Sequence, residues 1–134
     1  MSPSLLLRLE GLLLLAVSLT AYGRLGLDPY LLVLFFFAPD LSLAGYLVGP
    51  GFGARLYTAS HTYLAPSALG SVAGLAEAPS WYGPAILWIA HIGFDRALGF
   101  GLKLPGRGFY ETHLSSPRPI LRNPSDQGGQ TVPV

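Results

Sequence analysis

Two histidines and two aspartates stand inside apolar sequence in this chain, where ionisable side chains are costly and therefore informative: Asp40, His61, His91 and Asp95. His91 and Asp95 are four residues apart, so on a helix they project from the same face, one turn apart. Two imidazoles and two carboxylates form a ligand set that suits zinc or a first-row metal such as iron or manganese. A charge at mid-bilayer costs roughly 2.5 to 3.5 kcal/mol, which makes such residues functional candidates by default.

The composition is that of a membrane protein. The chain has 134 residues, of which 51% are hydrophobic and only 11% are charged, whereas soluble globular domains are roughly 25% charged. The formal net charge of +1 says little about partners, because in a membrane protein the placement of charge matters more than its sum. Nucleic acid is disfavoured, and the apolar composition makes the lipid bilayer the expected partner. Cysteine is absent, which excludes a disulfide framework, a thiolate zinc site and a cysteine nucleophile.

Four apolar stretches of roughly 20 residues predict an all-α fold, an integral membrane four-helix bundle with helices over 4–22, 29–48, 53–76 and 80–102. Short connections that contain Gly and Pro make sequential helices antiparallel neighbours. Pro39 and Pro66 predict kinks in the second and third helices. We therefore expect a four-span domain over 1–112 and, because 113–134 is rich in Pro, Ser, Gly and Gln, a flexible cytoplasmic tail.

The basic residues orient this predicted bundle in the cell membrane. Seven of the 8 Lys and Arg residues fall on the face that holds both termini, and the opposite face holds only Arg24. Lys and Arg accumulate on the cytoplasmic side of a membrane. We therefore predict that both termini are cytoplasmic. The seven are Arg8, Arg55, Arg96, Lys103, Arg107, Arg118 and Arg122.

Measured along their helices, the polar residues share one depth. With a rise of about 1.5 Å per residue, they all fall in the cytoplasmic half of the predicted bundle: Glu10, Asp40, His61, His91 and Asp95. We interpret this layer as a site in which His61, His91 and Asp95 ligate a metal and Asp40 is a ligand or general base.

Simpler interpretations of these residues stay open at this point. Asp40 could cap the half-helix that follows Pro39, and His61 could be a packed histidine bonded to a neighbouring helix. Glu10 with Arg8, and Asp95 with Arg96, could form ion pairs near the interface. His113 could cover the site from the cytoplasm or contact lipid headgroups.

The hypotheses for function fall into three classes. The first is a metal-dependent membrane enzyme, hydrolase-like, acting on a lipid-like or hydrophobic substrate. The second is a redox protein in which His61 and His91 ligate haem from facing helices. The third is a non-catalytic accessory subunit of a larger membrane complex, or a proton-relaying protein. Small-residue pairs suit close helix packing within the bundle or in a homo-oligomer: Gly45 with Gly49 and Gly70 with Gly74.

Several strings give the chain a family resemblance. They are 38–42 (APDLS), 61–63 (HTY), 91–96 (HIGFDR), 99–103 (GFGLK) and 112–114 (THL). With them, roughly residues 7 to 114 resemble a bacterial membrane-protein family catalogued as domain of unknown function 4260. The resemblance implies a small multi-pass bacterial membrane protein and supplies no activity.

Overall fold

The structure described is that of residues 2–103 of the computed structural model, where helices joined by short connections form the fold. The elements in order are α1 (Pro3–Arg24), α2 (Pro29–Phe37), a 3₁₀ segment (Ala38–Leu47), α3 (Pro50–Ser60), α4 (Leu64–Leu75), a 3₁₀ turn (Pro79–Trp81) and α5 (Tyr82–Leu98). The all-α prediction is confirmed for this range, which contains no strand. The predicted tail over 113–134, its boundary and His113 lie outside the described residues.

Within the part of the chain that the structure describes, two stretches are long and apolar enough to cross a membrane by length and composition: Pro3–Arg24 and Pro29–Leu47. The other helices, α3, α4 and α5, have 11, 12 and 17 residues, fewer than the roughly 20 that span hydrocarbon. Four continuous spanning helices are therefore not confirmed.

The third predicted helix is divided in two, and Pro66 explains the division. Proline has no N–H, and its ring clashes with the carbonyl four residues earlier, here that of Thr62. Accordingly α3 ends at Ser60, α4 begins at Leu64, and Pro66 is buried in the first turn of α4. The predicted kink is in fact a complete break, and His61 lies within it.

The second predicted helix changes type at Pro39. It is α-helical up to Phe37 and 3₁₀ over Ala38–Leu47, unusually long for a 3₁₀ helix. Side chains three residues apart are eclipsed in this geometry, and burial follows that period: Pro39, Ser42 and Gly45 are buried. Of the two other faces, one carries half-buried residues and the other carries mainly exposed residues, again three apart. Asp40 begins the half-buried face.

Helix α5 is the centre of the fold, and glycines bring α1 against it. Helices α1, α2 and α4 all pack on α5, while α3 packs on the 3₁₀ segment. A Cβ added at Gly11 would lie 2.7 Å from the Gly93 carbonyl oxygen, and one at Gly93 would lie 2.7 Å from the Gly11 carbonyl oxygen. The two backbones are therefore in direct contact beside His91 and Asp95.

The glycine pairs named from the sequence also pack within the chain. A Cβ added at Gly70 would lie 3.7 Å from the Ala85 side chain, and one at Gly74 would lie 3.2 Å from the Tyr82 hydroxyl. A Cβ added at Gly45 would lie 3.2 Å from the Gly53 backbone. Gly49 has nothing within 4 Å. Three of the four glycines therefore serve contacts between elements of one chain, and association between copies stays a prediction.

Helix α1 buries its small and polar residues and exposes its leucines. Gly11 and Ser18 are buried, while Leu13 is 63% exposed. The 18-residue apolar window of α1 is only 11% buried inside the structure, unlike the core helix of a water-soluble protein. Small residues at helix contacts with leucines facing outward are the pattern that a lipid environment favours. Two apolar helices thus suggest membrane association.

The Gly11 contact predicts a steric effect of a single methyl group. Gly11→Ala forces the α1 and α5 backbones apart, and overpacking of this kind costs about 1 to 3 kcal/mol. The free energy of unfolding in detergent measures the effect. Gly23→Ala is the matched control, because nothing lies within 4 Å of its added Cβ on the same helix. Equal stability of the two variants would contradict the packing described.

Candidate metal centre

Three separate elements bring the cluster together. Asp40 is the third residue of the 3₁₀ segment, His61 ends α3 as its C-cap, and His91 and Asp95 lie one turn apart on α5. Each placement follows from a local feature: Pro39 precedes Asp40, and His61 lies in the break between α3 and α4 that Pro66 imposes. The cluster therefore depends on two interruptions in otherwise helical sequence.

The four side chains meet at one point. The His61 and His91 Nε2 atoms are 3.2 Å apart. Asp40 Oδ1 lies 3.6 Å from His61 Nε2 and 3.4 Å from His91 Nε2, and Asp95 Oδ2 lies 3.5 and 3.7 Å from the same two atoms. One candidate ligand atom from each residue lies within 4.8 Å of all the others.

These separations match the size of a tetrahedral metal site. Nitrogen and oxygen ligands at 2.0 to 2.2 Å from a tetrahedral ion lie about 3.3 to 3.6 Å from one another. The His–His and His–Asp separations of 3.2 to 3.7 Å agree with those edges, and all four atoms lie within 4.8 Å of one another. The donor set, two imidazoles and two carboxylates, also fits a divalent ion.

Hydrogen bonding fixes the His61 ring with Nε2 turned to the cluster. Its Nδ1 lies 2.9 Å from the Tyr57 carbonyl oxygen, which only accepts, so Nδ1 carries the proton and donates it. The Ser60 hydroxyl lies 2.8 Å from the same nitrogen, and the Tyr57 ring stacks on the imidazole at 3.7 Å between centroids. The Nε2 lone pair is therefore free to bind an ion, as in most histidine metal ligands.

His91 is oriented by packing instead. Its ring contacts the edge of Phe36 with centroids 5.4 Å apart, and only 2% of the residue is exposed. Its Nδ1 is buried and has no hydrogen-bond partner within the described range. This ring departs from the usual pattern, in which the nitrogen that does not bind metal donates to an acceptor.

The two carboxylates differ in their surroundings. Asp95 is 16% exposed and accepts a hydrogen bond of 3.1 Å from the Tyr57 hydroxyl. Asp40 is 40% exposed, far more than the other three cluster residues. The approach to the cluster from outside is therefore past Asp40.

Lys103 adds a cation at the edge of the cluster. Its Nζ lies 4.6 Å from the centre of the Tyr57 ring and 5.2 Å from that of Tyr46, within the range of cation–π attraction. Burial lowers the pKa of Lys103, and the charges of Asp95 and Asp40 oppose that change.

Other expectations for the polar layer are not met. Glu10 is exposed and lies outside the cluster, because the face of α1 that packs on α5 is the one with Gly11 and Ser18. No ion pair joins Glu10 to Arg8 or Asp95 to Arg96 in residues 2–103; Arg96 lies over the Tyr63 ring at 4.3 Å.

The 3₁₀ segment has no side-chain cap. The Asp40 carboxylate faces the histidines instead of capping the segment that follows Pro39.

Sequence reasoning missed Tyr57, Ser60 and Phe36. Tyr57 precedes His61 by four residues, as His91 precedes Asp95, so the same one-turn spacing could have placed it beside the imidazole. Phe36 and Ser60 have no such signal, because their contacts depend on how the helices pack.

The His61 geometry predicts one tautomer. With the Tyr57 carbonyl as acceptor, His61 carries its proton on Nδ1, and nitrogen NMR of histidine-labelled protein distinguishes this form from the Nε2 tautomer. Ser60→Ala is the control, because it leaves the carbonyl in place and preserves the tautomer. A proton found on Nε2 would contradict this arrangement.

Comparison with known proteins gives a family. The model of a family described as domain of unknown function (DUF4260) matches residues 4–116. No curated protein and no solved structure matches the chain.

Proposed function

The chain belongs to the DUF4260 family, whose description assigns no activity, and on that premise we propose that it is a metal-dependent membrane enzyme of hydrolase type. His61, His91 and Asp95 hold one divalent ion, zinc, iron or manganese. Asp40 occupies the fourth position as a ligand or acts as the general base.

One observation carries this proposal: four candidate ligand atoms from three elements lie within 4.8 Å of one another, and the His–His and His–Asp separations match the edges of a tetrahedral site. Burial of two imidazoles and a carboxylate in mutual contact is costly unless their lone pairs and charge are compensated. A divalent cation compensates all of them together. The exposed fourth position at Asp40 is the feature that separates a catalytic site from a closed structural one.

The chemistry follows from the exposure of Asp40. A divalent ion held by these residues would lower the pKa of a water bound to it to about 7. Asp40 would accept the proton of that water while the water oxygen attacks the carbonyl carbon of an ester. When the carbon–oxygen bond to the leaving alcohol breaks, Asp40 would return the proton to that oxygen. Asp95 stays fixed by the Tyr57 hydroxyl throughout.

We also propose that the protein is multi-pass in the cell membrane with both termini cytoplasmic. Helices α3 and α4 would form one broken passage, and the turn Pro79–Trp81 with α5 would form another. Broken helices are tolerated at membrane depth where protein covers them, and the 3₁₀ segment packs on α3 while α5 packs on α4. The excess of Lys and Arg on one face supports the orientation.

The geometry favours a single ion over haem. Imidazoles on opposite faces of a haem iron would place their Nε2 atoms about 4 Å apart with the macrocycle between them. Here those atoms are 3.2 Å apart, and Asp40 and Asp95 occupy the space around them. A proton relay is the competing role, because the same His61–His91 contact could pass a proton between the two carboxylates. Metal content separates these two roles.

Metal analysis of purified protein is the first test. We expect near-stoichiometric zinc, iron or manganese by elemental mass spectrometry, and background levels in His61→Ala/His91→Ala. Asp95→Asn should lower metal affinity by more than the roughly 10- to 100-fold that loss of a supporting hydrogen bond causes.

Glu10→Gln is the matched control for Asp95→Asn, since it removes an acid of the same predicted layer that lies outside the cluster. Protein that holds no metal, takes up none of these ions and tolerates the double histidine change would refute the proposal and leave the relay or accessory role.

The Tyr57 hydroxyl gives a second test. Tyr57→Phe keeps the ring that stacks on His61 and removes the donor to Asp95, so metal affinity should fall about 10- to 100-fold without loss of the fold. Competition with a chelator measures the affinity. Tyr22→Phe is the control, because it removes a tyrosine hydroxyl that donates to the Asp28 carbonyl, away from the cluster. Unchanged affinity in Tyr57→Phe would mean that Asp95 does not hold the ion through this arrangement.

A further inference from the structure

A cavity of about 450 Å³ lies beside the cluster, within the usual range of small-molecule sites. Among residues 2–103, its lining has two hydroxyls, those of Ser42 and Ser60, and no charged side chain. A nucleotide, sugar phosphate or amino acid would have no charged partner there. The remaining lining residues are Phe35, Ala38, Pro39, Leu41, Leu56, Leu69, Trp81, Pro84 and Trp88.

The cavity and the cluster share a wall. Pro39 and Leu41, on either side of Asp40, line the cavity, as does Ser60, which precedes His61. The Trp88 indole N–H donates a 2.6 Å hydrogen bond to the Ser60 carbonyl, and the Ser60 hydroxyl lies 2.8 Å from His61 Nδ1. A molecule in the cavity therefore has one end beside the candidate ligands.

The cavity also extends along the fold. Trp81 and Trp88 both line it, and seven residues separate them, about 10 Å along a helix. Its lining comes from the second predicted span, α3, α4 and α5. An apolar lining that extends about 10 Å suits a hydrocarbon chain.

We propose that this cavity binds the hydrocarbon chain of an amphiphilic substrate, a single acyl chain, and holds the adjoining polar group at Asp40. That the bound molecule is a substrate rests on the proposed function. That the cavity binds an acyl chain does not. Asp40 stands between Pro39 and Leu41, which both line the cavity, and its side chain is 40% exposed, so a polar group attached to the chain would lie next to the cluster. Burial of the chain supplies the affinity, and the cluster supplies the reaction.

A photoreactive palmitic acid with a diazirine near the end of its chain tests the proposal. Full-length protein in dioleoylphosphatidylcholine nanodiscs is irradiated with it, and the labelled peptides are mapped by mass spectrometry. We expect label within 35–42 and 81–88, competed by unlabelled palmitic acid.

Leu69→Trp fills the cavity and should reduce labelling roughly tenfold for every two methylene groups excluded. Val72→Trp is the matched control, because Val72 lies on the same helix, is 60% exposed and does not line the cavity.

Label spread over the exposed leucines of α1 and unaffected by Leu69→Trp would overturn the proposal, because it would show only the lipid that surrounds the protein. The labelling experiment is repeated with His61→Ala/His91→Ala, so that the cavity and the metal site are tested separately. Loss of metal with retained labelling sustains the cavity, and retained metal with no labelling in 35–42 or 81–88 sustains the metal site alone.

Discussion

The direct backbone contact between α1 and α5 is the constraint on which the rest of this fold depends. Gly11 and Gly93 have no side chains, so the two helices meet at a distance that any other residue would prevent. Gly93 lies between His91 and Asp95, and the contact therefore sets the depth and rotation of α5 at the cluster. It also turns the leucines of α1 outward and leaves Glu10 on the exposed face.

Two prolines supply the rest of the site by interrupting helices. Pro39 changes the helix type just before Asp40, and Pro66 ends the helical run that would otherwise continue past His61. An uninterrupted helix would direct these side chains by the ordinary period of 3.6 residues. The interruptions leave both residues at the ends of short elements, where they reach the His91–Asp95 pair on α5. Short, interrupted elements thus bring four candidate ligand atoms within 4.8 Å of one another.

The part of this site that sequence could predict is the part governed by local spacing. The one-turn separation of His91 and Asp95 is a property of one helix, and the depth of Asp40 and His61 follows from counting residues. Helix rotation is different, because it depends on contacts such as Gly11 with Gly93 and Phe36 with His91 that no single helix encodes. For that reason Glu10 shared the predicted layer and yet lies outside the cluster. From sequence, both prolines predict kinks. The structure has a change of helix type after Phe37 and a complete break after Ser60 instead, because a proline shows where a helix is disturbed but not how far.

The 3₁₀ segment also changes how far the chain reaches. Its rise is about 2.0 Å per residue against about 1.5 Å in an α-helix, so the 19 residues of Pro29–Leu47 extend about 33 Å where an α-helix would extend about 28 Å. A typical hydrocarbon core is about 30 Å thick. In the membrane arrangement that we propose, the change of helix type would set the bilayer thickness that this stretch matches, and hydrophobic mismatch of a few ångströms is enough to sort proteins between membranes.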